Sequence, residues 1–270
     1  MAIFDIHQHA GPMPMFDDTY GKPSEGPSWV DRDYAARVEQ MDLHGISRAA
    51  IGPTPFYYRA NGLRDTMEMN DAVAAMKKRD PQRFPIALGV VEPLYGPASI
   101  PELERMKQEL GMDGVMFHHR FQGAFIDNWI MRPYLQKMQE LGLVPFIHIM
   151  AGSEMENVWR LRVLAEEFPD LTFVALDSLS SFYQTEEIIQ ISRRVPNIYW
   201  DTACLWQPTF TVTRFVEHVG ADRLLFGSDL YGSATGHSPA ENLGAVQGAA
   251  ISEGDKTKVL WDNAVRLFKL

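Results

Sequence analysis

Two histidines one residue apart, His7 and His9, follow the first apolar run of the chain, Ile3-Phe4-Asp5-Ile6. On a strand, residues two apart point to the same face, so both imidazoles can aim at one point. Neutral imidazole is the commonest protein ligand for metals, which gives the pair a metal-binding or catalytic reading. Two polar residues at the rim of a surface loop is the plainer alternative. Later apolar runs stop in the same manner. Their terminal residues are, in order, Gly52, Glu92, His118, His148, Asp177, Asp201 and Asp229. One polar residue in such a place is usually a turn or a helix cap. Six of eight runs ending in His or Asp point instead to a shared site of metal ligation or proton transfer.

The elements that must position these residues alternate. Ser28 with Asp31 resembles a capping box, and Val30, Tyr34, Val38 and Met41 fall at helical spacing before Gly45. Similar helical stretches, through Met69, Leu103, Tyr134, Leu161, Ile188 and Phe215, separate the remaining runs. The runs are continuously apolar, as in Leu171 to Leu176, which marks strands buried on both faces of a parallel sheet. Eight such units in 270 residues predict one (β/α)8 TIM barrel over residues 1–270, with its chemistry at the C-terminal strand ends. A doubly wound open sheet is the alternative, but no Gly-rich phosphate loop follows any strand. Residues 11–27 and Pro53 to Arg59 read as long loops at the same end.

Composition narrows the partners. Hydrophobic residues make up 46% and charged residues 22%, enough for a substantial core. With 35 acidic against 25 basic residues, net charge −10 and no Lys/Arg run, the balance argues against nucleic acid and anionic membrane as partners. Cys204 is the sole cysteine, so no intrachain disulfide forms and a reducing compartment is expected. The first strand leaves no room for a signal peptide, and no apolar run reaches membrane-spanning length. The expectation is a cytoplasmic protein acting on a small molecule, with a homo-oligomer compatible with the sequence.

The segments Phe4 to His9, Gly114 to His118, Gly142 to His148, Leu225 to Asp229 and Asn263 to Phe268 span the chain from end to end. Together they resemble the amidohydrolase superfamily, and within it the amidohydrolase-2 group, which includes aminocarboxymuconate-semialdehyde decarboxylase and related hydrolases. The resemblance implies one divalent metal held by His7, His9, His148 and Asp229. Three imidazoles and a carboxylate suit Zn2+ with an open position for water or substrate, and Mn2+ is the alternative. His118 matches the strand-4 position of the group. Strand 6 departs from it: the group places a histidine there, and this chain has Asp177.

The remaining roles follow from position. Asp229, Asp177 and His118 are the candidate catalytic residues. Arg120, just past strand 4, suits a substrate carboxylate, with Arg59 as a second candidate. Tyr57 and Trp206 lie on loops at the same face and can wall a pocket, and His237 on the loop after strand 8 can reach it. These assignments predict a metal-dependent hydrolase that acts on a small carboxylate-bearing ester, lactone or amide through a metal-activated water. The alternative is non-oxidative decarboxylation of a small aromatic or unsaturated carboxylic acid. A catalytically inactive binding barrel is a third reading, against which the four ligands together argue. Asp177 sets the ranking. An ionised carboxylate beside a metal can take a proton from water but protonates carbon poorly.

Overall fold

The computed structural model describes residues 2–12, 28–232 and 238–270. The long loop expected at 13–27 lies outside them. The chain opens with β1 (Phe4–Ala10), α1 (Trp29–His44), β2 (Arg48–Pro53), α2 (Leu63–Arg79) and β3 (Ile86–Gly89). There follow α3 (Ile100–Gln108), β4 (Gly114–Phe117), the short α4 (His119–Gln122), α5 (Met131–Leu141) and β5 (Val144–His148). Next come α6 (Val158–Glu167), β6 (Phe173–Leu176), α7 (Phe182–Ser192), β7 (Ile198–Asp201) and α8 (Pro208–Val219). The chain ends with β8 (Leu224–Leu225), β9 (Leu230–Tyr231), α9 (Pro239–Gly248), α10 (Glu253–Thr257), a π-helical turn (Lys258–Asp262) and α11 (Asn263–Phe268).

Local signals act as the sequence implies. Ser28 Oγ accepts the Asp31 backbone N–H at the head of α1, and Gly45 closes that helix at φ 67°. Glycine takes this left-handed conformation without a Cβ penalty. Gly142 closes α5 in the same way, at φ 66°.

All strands pair in parallel, in the order β8-β7-β6-β5-β4-β3-β2-β1-β9. The expected eighth strand is split into β8 and β9. β8 pairs with β7, and β9 pairs with β1. Between them, Ile6 N donates to Phe226 O and Asp229 N donates to His7 O, each at 2.9 Å. The eighth position therefore bridges β7 to β1 and closes the sheet into a (β/α)8 barrel.

The interior holds Phe4, Ile6, Ile86, Leu88, Met116, Phe146, Val174 and Leu225. A larger apolar layer lies between strands and helices. Burial on both faces explains the unbroken apolar runs. Trp261 against Phe4 and Phe268 against Phe146 close the end of the barrel opposite the histidines. Among the described residues no helix is long and apolar enough to cross a membrane.

Helix α1 departs from its expected apolar stripe, because it buries Asp33, Arg37 and Met41. Arg37 is fully buried and donates to Asp33, Gln8 Oε1, His9 O and Leu230 O. Its planar fork thereby fixes α1 to β1 and β9 at the barrel mouth.

Candidate active site

β1 runs beyond His7 to Ala10, with a register shift between Asp5 and Gln8, and it still turns His7 and His9 to the same side. His7 Nε2 lies 2.9 Å from His9 Nε2 and 3.2 Å from His148 Nε2. The other ring nitrogens are committed. His7 Nδ1 meets Asp201 Oδ2 at 2.6 Å, His9 Nδ1 meets Pro53 O at 3.2 Å, and His148 Nδ1 meets Phe117 O at 2.8 Å. An acceptor at Nδ1 keeps a proton there and leaves the Nε2 lone pair for the site.

Three such lone pairs facing one another repel unless positive charge sits among them. One proton can serve one contact, whereas a divalent cation serves all three. Asp229 Oδ1 adds an anionic oxygen 3.1 Å from His9 Nε2 and 3.5 Å from His7 Nε2. His7, His9 and His148 thus form a buried triad that fits a divalent cation, with the Asp229 oxygen beside two of its members. Burial opposes charge on His7, but the hydrogen bond and charge of Asp201 outweigh it and lift the imidazole to about 9. Burial lowers His9 and holds His118 and His148 well below the ordinary histidine range.

The two strand-end carboxylates reach the site through unusual backbone. Asp177 has φ 58° and Asp229 φ 56°, the left-handed region that costs most L-residues about 1–2 kcal/mol. Asp is one of the few side chains that enters it readily. Ligand atoms of His7, Asp177 and Asp229 lie within 4.8 Å of one another. Asp177 is buried, and its Oδ1 has no hydrogen-bond partner among the described residues. Burial first, then the charge of Asp229, pushes its carboxyl up to about 8. Burial and the Asp229 charge thus favour the protonated carboxyl, and a cation among the imidazoles would act against them.

His118 is buried and stacks on His148 with ring centroids 3.4 Å apart. Arg120 pairs with the fully buried Glu156, and its Nη2 stands 3.9 Å from Asp177 Oδ2. Arg59 is set apart from this group, its Nε bound to Glu92 at 2.7 Å. Tyr57 is buried, and its hydroxyl is occupied by Glu92 and Thr66. Trp206 is 38% exposed and packs against Phe182. His237 lies outside the described residues.

Sequence reasoning assigned no role to Asp5 or Glu156, and counted Asp201 only among the strand ends of the shared site. Asp5 accepts four hydrogen bonds, from His7 N, Gln8 Nε2, Ser228 N and Ser228 Oγ, and so joins β1 to the turn before Asp229. A lone charge inside an apolar run was its only signal. Asp201 was visible as a strand end, and Glu156 had no signal at all.

Comparisons with known proteins bear on the chemistry. The 2-amino-3-carboxymuconate-6-semialdehyde decarboxylase of Dictyostelium discoideum is 26% identical over 54% of this chain and 42% of its own length. The chain thus matches less than half of that relative. Gamma-resorcylate decarboxylase of Polaromonas sp. is 24% identical, with 87% of this chain and 86% of the relative covered. The crystal structure of a dihydroxybenzoic acid decarboxylase from Polaromonas sp., with bound manganese and the inhibitor 2-nitroresorcinol, superposes with a TM-score of 0.70. It is 18% identical and covers 100% of this chain and 97% of that one, a likeness of fold. These relatives overturn the expectation of a hydrolase, which rested on Asp177 being ionised. The amidohydrolase family pattern runs through residues 4–270, nearly the whole chain. The chain belongs to the amidohydrolase family.

Proposed function

We propose that this protein is a metal-dependent non-oxidative decarboxylase of a small hydroxylated aromatic carboxylic acid. The observation that carries the reading is Asp177, a buried carboxyl beside the converging imidazoles whose protonated form burial and the Asp229 charge favour. The names of both curated relatives and of the manganese-bound structural neighbour support the same chemistry.

Decarboxylation breaks the bond between the ring carbon and the carboxyl carbon. The electron pair stays on the ring carbon, CO2 leaves, and a proton takes the vacated position. That step needs an acid near the ring carbon, and Asp177, whose surroundings favour its protonated form, is the group we assign to it. A divalent metal, held by His7, His9, His148 and Asp229, would supply positive charge to orient and neutralise the substrate's anionic oxygens. Manganese is favoured over zinc by the bound ion of the neighbour. Arg120 presents one edge of its guanidinium beside Asp177 and can steer an anionic ring toward it. His118, kept neutral by burial, offers a flat face at the same mouth. Arg59 is bound to Glu92 and serves instead to hold the loop after β2.

The test is a panel of hydroxylated benzoic acids offered to the Mn2+-loaded chain with CO2 release as the readout. Turnover of at least one member, lost in His148→Ala, is the expected result. Stoichiometric metal with no CO2 from any member would reject the assignment.

A further inference from the structure

Asp201 is fully buried at the end of β7 and uses both carboxylate oxygens. Oδ2 meets His7 Nδ1 at 2.6 Å, while Oδ1 accepts the Ser178 backbone N–H at 3.1 Å. The Asp201 N–H returns a bond to Ser178 Oγ at 3.2 Å, and Ser178 Oγ donates to Ala175 O at 2.7 Å. Ser178 directly follows Asp177, so this small network clamps the left-handed turn that aims the Asp177 carboxyl. His9 and His148 take their orientation from backbone carbonyls, Pro53 O and Phe117 O. Of these three imidazoles, only His7 has its Nδ1 held by a side chain.

Gly227 shows how closely the surroundings are built on this contact. A Cβ there would stand 2.8 Å from Asp201 Oδ2 and 2.9 Å from His7 Cβ. Only a residue without a side chain lets the eighth strand approach the His7–Asp201 pair.

We propose that Asp201 is a positioning residue that sets two groups at once, the His7 tautomer and the Asp177 turn. This rests on the metal reading above. The two tasks require two acceptors. An asparagine at 201 has one acceptor and one donor, so it can perform only one of them. If its oxygen keeps the Ser178 N–H, its NH2 faces His7 Nδ1 and drives the ring proton to Nε2. That removes a lone pair from the donor set. If the amide turns over, its NH2 opposes the Ser178 N–H, and the Asp177 turn loses its anchor.

The test measures Mn2+ affinity of the whole chain by calorimetry, in the wild type and in Asp201→Asn. Partners that orient ligating histidines are worth about 10–100-fold in metal affinity, so Asp201→Asn should bind Mn2+ about 10–100-fold more weakly. Wild-type binding with a variant Kd less than threefold weaker overturns the inference and leaves the metal reading standing. No Mn2+ binding by the wild type overturns the metal reading and the inference with it. A variant-free measurement covers the case in which Asp201→Asn does not fold. In the Zn2+-loaded wild type, long-range 1H–15N spectra should place the His7 ring proton on Nδ1 and the metal on Nε2. The opposite assignment overturns the proposal.

Discussion

Replacing Asp177 by Asn keeps its size, removes its proton, and moves stability and activity in opposite directions. Without a metal, burial and the Asp229 charge push the folded carboxyl up to about 8, against 3.8 as the ordinary value. An acid raised in this way is stabilising to the fold only while protonation is free, at low pH, and becomes a burden as pH rises toward about 8. Each pH unit in that window costs about 1.4 kcal/mol, because the folded state must retain a proton that the unfolded chain releases. At neutral pH, roughly three units above the ordinary carboxyl range, the burden is on the order of 4 kcal/mol. Chelator-treated Asp177→Asn should therefore unfold at higher urea than wild type at neutral pH, with the gap closing toward pH 4. Activity should go the other way. Loss of a general acid lowers kcat by about 10²–10⁴. Metal content, measured by elemental analysis, should remain that of the wild type. A stability gap that does not change with pH, or a kcat within threefold of wild type, would refute the reasoning.

Three further outcomes follow from the geometry. Arg120→Ala should raise KM far more than it lowers kcat, as expected when uniform binding is lost, and the reverse pattern in steady-state kinetics rejects it. Since Glu156 is the buried partner of Arg120, adding Glu156→Gln should recover stability without recovering KM. Arg37→Met leaves the buried Asp33 without its cation, so urea unfolding should show a loss of about 3–5 kcal/mol, and a loss below about 1 kcal/mol contradicts the account. His7, lifted to about 9, carries a proton at neutral pH that a metal must displace. Metal affinity should accordingly rise with pH up to about 9, with close to one proton released per ion in calorimetry across buffers, and zero release rejects this.

Much of the scaffold was legible in the sequence because barrel strands are apolar on both faces. Their runs end abruptly where the mouth begins, so His7, His148, Asp177 and Asp229 stood out against an uncharged background. The split of the last strand was not legible. It comes with Gly227 lying against His7, a contact between residues more than 200 apart in the chain. Arg37 was hidden for a related reason: its acceptors include two backbone carbonyls, on β1 and β9, which no side-chain pattern announces. The consequential error was the hydrolase ranking, which took Asp177 to be ionised. Residue type and strand position gave a carboxylate near a metal site. Burial and the neighbouring Asp229 charge, which are properties of the assembled mouth, favour its protonated form.

The most direct test of the account follows the carboxyl carbon itself. Carboxyl-13C-labelled hydroxybenzoic acids of the panel are each incubated with the Mn2+-loaded chain in D2O, and the products of any that is turned over are read by NMR. The account predicts the label in CO2 and bicarbonate, one deuterium on the vacated ring carbon, and neither signal from chelator-treated protein. Label retained in every acid, with the same preparation instead cleaving esters, lactones or amides, would contradict it.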